Sequence, residues 1–237
     1  MVEGYRFDPK FDWWTQDHQS NYELIKDHLM YRNRRTQPIR FLEIGVFEGR
    51  PTIWFVENIL RYYPGSTYVC VEPDPAPNFE HNMTLLRQRA PNVSIEHHRL
   101  YSEEYLPKMI CSIRSSESPG FDAAYIDGDH NAPGVLRDGV MVWECLKEGG
   151  VELFDDYEME ATDPWHYISH GEFKQYPRAN FKHPCCAIDA FLNVYRGLYD
   201  RFIDNFQVGV IKRIYLGAKN LYHGDNTQGD FEYHAMR

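Results

Sequence analysis

The sequence predicts an α/β protein with a doubly wound, mostly parallel sheet of seven strands and helices on both faces. Two observations lead there. From residue 39 onward, short apolar runs alternate with stretches of helical spacing, the mark of parallel βαβ units. Those units connect with one hand, which winds helices onto both sides of the sheet. In addition, Pro51, Pro64-Gly65, Pro91 and Glu148-Gly149-Gly150 fall where one kind of segment gives way to the other. A chain of 237 residues is long enough for one such domain with a sizeable core.

In order, Ile39–Val46 reads as the first strand, and Pro51 opens a helix that runs to Tyr63, a proline being at ease in a first turn. Thr67–Val71 reads as the second strand and Phe79–Ala90 as the second helix. Val93–His97 is the third strand, followed by a short helix over Glu103–Ile113. Ala123–Asp127 is the fourth strand, and a helix from Gly134 to Leu146 ends at Glu148-Gly149-Gly150. Val151–Asp155 is the fifth strand. A helix from Ala187 to Tyr199 and two strands within Arg201–Tyr215 complete the sheet, while Gln19–Arg32 forms a helix ahead of it.

Composition narrows the function. The charge of −10, from 25 basic and 35 acidic residues, argues against nucleic acid, whose binding depends on neutralising phosphates. The longest basic cluster, Arg32–Arg35, is interrupted by Asn33, and no stretch is apolar for long enough to span a membrane. The five cysteines, Cys70, Cys111, Cys145, Cys185 and Cys186, show no metal-type spacing. A reducing, cytoplasmic compartment is the simplest expectation.

Chemistry concentrates at the strand ends. Two acidic groups, Asp127-Gly128-Asp129-His130 and Asp155-Asp156, close the fourth and fifth strands. Parallel strands would bring them to the carboxyl edge of the sheet, where open α/β sheets bind ligands. The first strand ends in Glu43-Ile44-Gly45-Val46-Phe47-Glu48-Gly49. Its glycines allow close approach of a ligand to the backbone, but G-x-x-x-G is not the dinucleotide fingerprint, and Phe47 would crowd a pyrophosphate. Those features favour a nucleoside cofactor without phosphates. Glu72 ends the second strand, placed to accept the hydroxyls of a ribose, and Glu43 is suited to an ammonium.

These residues resemble S-adenosylmethionine-dependent methyltransferases of the Rossmann-like class. The E-x-G-x-x-x-G segment is similar to the branch containing catechol and caffeoyl-CoA O-methyltransferases. Asp-Gly-Asp-His, Arg137-Asp138 and Gly149-Gly150…Asp155-Asp156-Tyr157 are closer to the macrocin-type sugar O-methyltransferases. The resemblance covers about residues 39–156 and extends toward 216. It implies that Glu43, Gly45 and Gly49 surround the methionine part of S-adenosylmethionine, that Glu72 holds the ribose, and that Ser102 lies near the adenine. Asp127 would border the cofactor as well. It further implies Asp127, Asp155 and Asp156 as ligands of Mg²⁺, with His130 as the base that takes the substrate proton.

The last two ligands of the catechol branch are Asp-Asn, so Asp155-Asp156 carries one more negative charge than that branch uses. That departure favours another divalent cation such as Ca²⁺ or Mn²⁺, or an Asp156 that turns outward. Paired acids are nonetheless tolerated in the sugar-type branch. The bland reading makes these aspartates helix N-caps or loop starters. The resemblance does not reach residues 1–36, read as a helical cap, or 157–183, whose length and aromatics suit a lid or substrate loop; with 37–156 as the cofactor-binding core and 184–237 as a terminal helix and strands, all form one domain.

The expected reaction is O-methylation of a small hydroxylated molecule, a sugar or glycoside slightly ahead of a catechol. The rivals are an NAD-dependent oxidoreductase, a noncatalytic Rossmann-like binding module, and the cephalosporin hydroxylase-like group, which is similar in sequence. The aromatic N-terminal segment also fits a cover over a neighbouring subunit's site, which leaves a homo-oligomer open.

Overall fold

The computed structural model describes residues 4–11, 13–32, 37–158 and 183–214. Seven strands form one sheet in the order β3-β2-β1-β4-β5-β7-β6. They are β1 (Arg40–Ile44), β2 (Thr67–Val71), β3 (Ser94–His98), β4 (Phe121–Ile126), β5 (Leu146–Phe154), β6 (Tyr199–Asp204) and β7 (Val208–Lys212). β1 to β5 are mutually parallel, and β7 runs antiparallel to both β5 and β6. The helices are α1 (Gln16–Arg32), α2 (Arg50–Asn58), α3 (Phe79–Arg89), α4 (Ser102–Arg114), α5 (Ala132–Cys145) and α6 (Pro184–Val194).

Alternation along each strand divides the core in two. Phe41, Tyr68, Ala123, Tyr125, Val151 and Leu153 face α1, α2 and α3, where they meet Tyr22, Ile25, Phe55, Val56 and Met83. Leu42, Ile44, Ala124, Ile126 and Phe154 face α4, α5 and α6, against Leu106, Val142, Trp143, Ile188 and Phe191. Strands buried on both sides explain the near-continuous apolar runs in the sequence.

The predicted elements appear in the predicted order, with corrections to their bounds; the last helix, for one, stops at Val194, and Tyr199 begins β6. Glu148-Gly149-Gly150 does not close a helix. α5 ends at Cys145, and β5 begins at Leu146, which pairs with Phe121 across an irregular register. The glycines lie inside the strand, where α1 docks: His28 Nε2 is 3.0 Å from the Gly149 carbonyl oxygen. The predicted helix of residues 51–63 is likewise shorter: α2 stops at Asn58, and a 3₁₀ turn over Leu60–Tyr62 follows. Of the predicted lid at 157–183, residues 159–182 lie outside the described residues, His166 and His170 among them.

The register then fixes the functional edge. Ile44 pairs with both Val71 and Ile126, and Ile126 with Phe154. The next residue of each strand continues the ladder: Gly45 N donates to Val71 O at 3.0 Å, Asp127 N to Ile44 O at 2.8 Å, Asp155 N to Ile126 O at 3.0 Å, and Glu72 N to His98 O at 3.1 Å. Gly45, Glu72, Asp127 and Asp155 therefore stand side by side. They flank the point between β1 and β4 where the strand order reverses, the usual ligand crevice of such sheets.

Candidate active site

The β1–α2 loop and the β4–α5 loop touch through their backbones. Gly45 has φ +79°, and a Cβ built there would lie 2.0 Å from the Asp127 carbonyl oxygen. Only glycine fits that crossing. Gly49 has φ +80° and caps the start of α2, with Pro51 in the first turn of that helix. The glycines thus set a tight loop directly against the first acidic group.

Glu43 does not reach solvent. It is fully buried on the α2 face, where Thr52 Oγ1 and Tyr68 OH donate to its Oε2 at 2.5 and 2.8 Å. Its Oε1 has no hydrogen-bond partner. Burial raises its pKa to about 8, against the pull of those two donors. Glu72 is half-buried at the rim and turns toward the loop: Val46 N lies 3.4 Å from its Oε2, and Asp74 N donates to Oε1 at 3.0 Å. Ser102 opens α4, as its place after β3 required. Its hydroxyl donates to Asp138 Oδ1 at 2.7 Å and ties α4 to α5.

The acidic groups separate into two sets. Asp127, His130 and Asp156 each offer a ligand atom, and these atoms all lie within 4.8 Å of one another. His130 Nε2 is 3.6 Å from Asp127 Oδ1 and 3.2 Å from Asp156 Oδ2. Burial would lower the imidazole pKa, but the hydrogen bond to Asp127 and the charges of Asp156, Asp127 and Asp155 outweigh it and raise it to about 9. Burial and the charge of Asp155 raise Asp127 to about 6, despite the opposing pull of His130.

Asp155, expected among the metal ligands, lies outside this cluster. Its Oδ1 accepts from Gln207 Nε2 at 3.0 Å and from Asp156 N at 2.9 Å, and its Oδ2 accepts from Tyr125 OH. The physical reason is strand parity: residues 125, 153 and 155 all project to the α1 face. There Gln207 Oε1 accepts from Asn21 Nδ2 at 2.8 Å, so Asp155 is linked to α1. Tyr125 OH also lies 3.3 Å from Asp127 Oδ2. Asp129, the remaining acid, accepts at Oδ1 from Asn131 N at 2.9 Å and shapes the entry to α5.

Sequence reasoning missed Tyr125, Gln207 and Asn21. Counting alternate residues back from Asp155 and Asp127 would have found Tyr125. No local signal marks Gln207 or Asn21, which arrive from the β6–β7 turn and from α1, 186 residues apart in sequence.

Residues 42–157 match a family model described as a methyltransferase domain. Together with the seven-stranded sheet, that match decides the class. Residues 42–157 have the Rossmann-like methyltransferase fold.

Solved structures share this fold. An O-methyltransferase from Bacillus cereus in complex with S-adenosylhomocysteine superposes with a TM-score of 0.51 at 14% identity, covering 88% of this chain and 84% of the other. MycE, from the mycinamycin biosynthetic pathway and in complex with Mg and S-adenosylhomocysteine, gives 0.55 at 14% identity over 93% of this chain and 56% of MycE. A Podospora anserina methyltransferase bound to S-adenosylhomocysteine gives 0.52 at 16% identity over 89% and 83%. In sequence, an uncharacterized protein of Acanthamoeba polyphaga mimivirus is 27% identical over 127 residues, 53% of this chain. The match spans 55% of that relative's length. Among the described residues, no helix is long and apolar enough to cross a membrane.

Proposed function

We propose that the protein transfers the methyl group of S-adenosylmethionine to a hydroxyl oxygen of a small molecule, with a divalent cation bound beside the cofactor. One observation carries this reading: Asp127, His130 and Asp156 converge within 4.8 Å at the sheet edge, the first two on the loop that abuts Gly45. A methyl donor in the glycine loop would therefore lie next to groups able to hold a cation and accept a proton.

The donor set fits a cation. Two carboxylates offer hard oxygen ligands of the kind Mg²⁺ and Mn²⁺ accept. Asp127 and Asp156 would hold the ion. A cation there would supply positive charge that orients the acceptor hydroxyl and eases loss of its proton.

The protein's own groups do the rest. Glu72 would take the ribose hydroxyls, and Glu43, whose buried Oε1 has no hydrogen-bond partner among the described residues, would face the methionine part. The acceptor oxygen forms a bond to the sulfonium methyl carbon as the carbon–sulfur bond breaks, leaving neutral S-adenosylhomocysteine. The hydroxyl proton goes to His130 Nε2. Asp127 and Asp156 favour the protonated imidazole; a cation held by those carboxylates would weaken that preference and leave Nε2 able to act as base. Alignment of donor and acceptor supplies much of the rate, and positioned proton transfer typically ~10²–10⁴-fold.

A sugar or glycoside remains slightly ahead of a catechol as acceptor. Its support is the Asp-Gly-Asp-His sequence and the likeness to MycE, which is known in complex with Mg, S-adenosylhomocysteine and mycinamycin VI. The rival oxidoreductase predicts a different ligand, so thermal shift with S-adenosylhomocysteine or NAD⁺, each with and without Mg²⁺, separates the two. A ligand at 100 times its Kd stabilises by about 2.7 kcal/mol. Saturating S-adenosylhomocysteine with no effect on Tm would end the methyltransferase reading.

A further inference from the structure

Residues 4–11 lie across the α2–α3 face and are pinned to the glycine loop by paired polar contacts. Asn82, on α3, is fully buried. It accepts from Arg6 N at 2.8 Å and donates from Nδ2 to Arg6 O at 2.8 Å and to Glu48 O at 2.9 Å. Glu48 lies within the loop, buried to 2% exposure. Its Oε1 accepts from Asp8 N and from Asn78 Nδ2, both at 2.8 Å. Phe11 then meets the Phe47 ring edge-on at 5.6 Å, and the Arg50 guanidinium lies 4.4 Å above the Phe7 ring.

The loop needs such support. Gly45, Phe47 and Gly49 all have positive φ, at 79°, 45° and 80°. For Phe47, a residue with a bulky side chain, that conformation costs roughly 1–3 kcal/mol and persists only where surrounding structure over-determines it. The determinants are visible: Ala76 N donates to Phe47 O at 3.1 Å, Phe11 packs on the ring, and the side chains of Glu48 and Asn82 tie the following residue to the strap.

We propose that the 4–11 strap is a working part of the cofactor site. Through the positioning residues Asn82 and Glu48, it holds residues 45–49 in the strained shape that receives the methionine end of S-adenosylmethionine. The proposal rests on the cofactor reading above, and it makes residues ahead of the methyltransferase domain necessary for full affinity.

The test uses the full chain and two variants, Asn82→Ala and the milder Phe11→Ala. Hydrogen exchange without ligand follows the amides of 45–49 against those of β4 and β5, and calorimetry measures Kd for S-adenosylhomocysteine well below each variant's Tm. For Asn82→Ala, loop exchange should quicken and Kd should weaken, each about tenfold, while β4 and β5 keep their wild-type rates. Phe11→Ala should move the same two readouts in the same direction by less. Unchanged loop exchange in both variants overturns the strap, as does faster exchange with an unchanged Kd. A role in global stability alone would lower Tm and leave Kd where it was, which overturns it equally. If the wild type binds no S-adenosylhomocysteine, the cofactor reading falls and takes the strap's role in affinity with it, while the exchange arm still decides whether the strap shapes the loop.

Discussion

Glu152 should be a built-in liability whose removal stabilises the protein in a pH-dependent way. It lies within β5, fully buried, and neither carboxylate oxygen has a hydrogen-bond partner. Burial pushes its pKa well above the usual 4.5, and Lys212 only partly opposes this. The Lys212 ammonium is occupied by the carbonyls of Trp143 and Leu146 at 2.7 and 3.1 Å. A buried polar group left unsatisfied costs about 1–3 kcal/mol. Glu152→Leu, similar in volume, should recover about that much and raise Tm by ~2–4 °C per kcal/mol for a chain of this size.

The sign of the pH effect follows from the raised pKa. Between 4.5, where the unfolded chain releases the proton, and the higher native value, the native state binds more protons. Stability therefore falls as pH rises through that window, by up to ~1.4 kcal/mol per unit. Glu152→Leu lacks this slope, so its advantage over wild type should widen from pH 5 upward and level off above the native pKa. Urea unfolding followed by tryptophan fluorescence at pH 5, 6 and 7 measures the gap directly. A gap that stays constant across this range, or a variant less stable than wild type, would refute the reasoning.

Three further outcomes follow from the site. His130→Ala should lower kcat by ~10²–10⁴-fold with little change in the Kd of S-adenosylhomocysteine; an unchanged kcat would remove His130 as base. In EDTA the His130 imidazole should titrate near 9, raised from 6.5. It then contributes stability that is fully present below about 6.5 and lost as pH rises through about 9, which an NMR titration of the ring protons checks. Gly45→Ala should prevent a native glycine loop, because its Cβ meets the Asp127 carbonyl at 2.0 Å; a folded variant with wild-type affinity for S-adenosylhomocysteine would contradict that crossing.

Most of the fold was legible because each parallel strand is buried on both faces and so reads as an unbroken apolar run. Thr67–Val71 was read to the residue. The failure at Glu148-Gly149-Gly150 has a physical cause: a glycine pair signals a turn, yet here it lies within a strand whose register shifts against β4. Asp127, Glu72 and the glycines were also legible, since a strand end needs only the strand to be placed. Ser102 and Asp155 were harder. Their positions along the chain were right, but their side chains answer to Asp138 and Gln207, residues 36 and 52 positions away. A motif fixes where a side chain starts, and tertiary partners decide where it ends.

The paired aspartates show how that division produces a site. Were the strand to continue beyond Phe154, Asp155 would project to the α1 face and Asp156 to the opposite one, away from Asp127. Asp155 obeys the strand and is captured by Tyr125 and Gln207. Asp156 instead adopts φ 60°, a left-handed conformation that aspartate and asparagine visit more readily than other side chains. Its amide donates to Asp155 Oδ1, so the captured acid fixes the turn that brings its neighbour within 3.2 Å of His130. The extra negative charge of the pair is thereby divided, one carboxylate serving the backbone turn and the other the cluster. Asp156→Asn should then keep both the turn and an oxygen ligand and retain a divalent-cation response. Asp156→Ala should lose that response. Asp155→Ala should weaken it indirectly, through a loosened turn, and should lower Tm as well. Cation titrations of turnover in the three variants separate these cases; equal loss in Asp155→Ala and Asp156→Ala with Tm unchanged in both would return Asp155 to the ligand set.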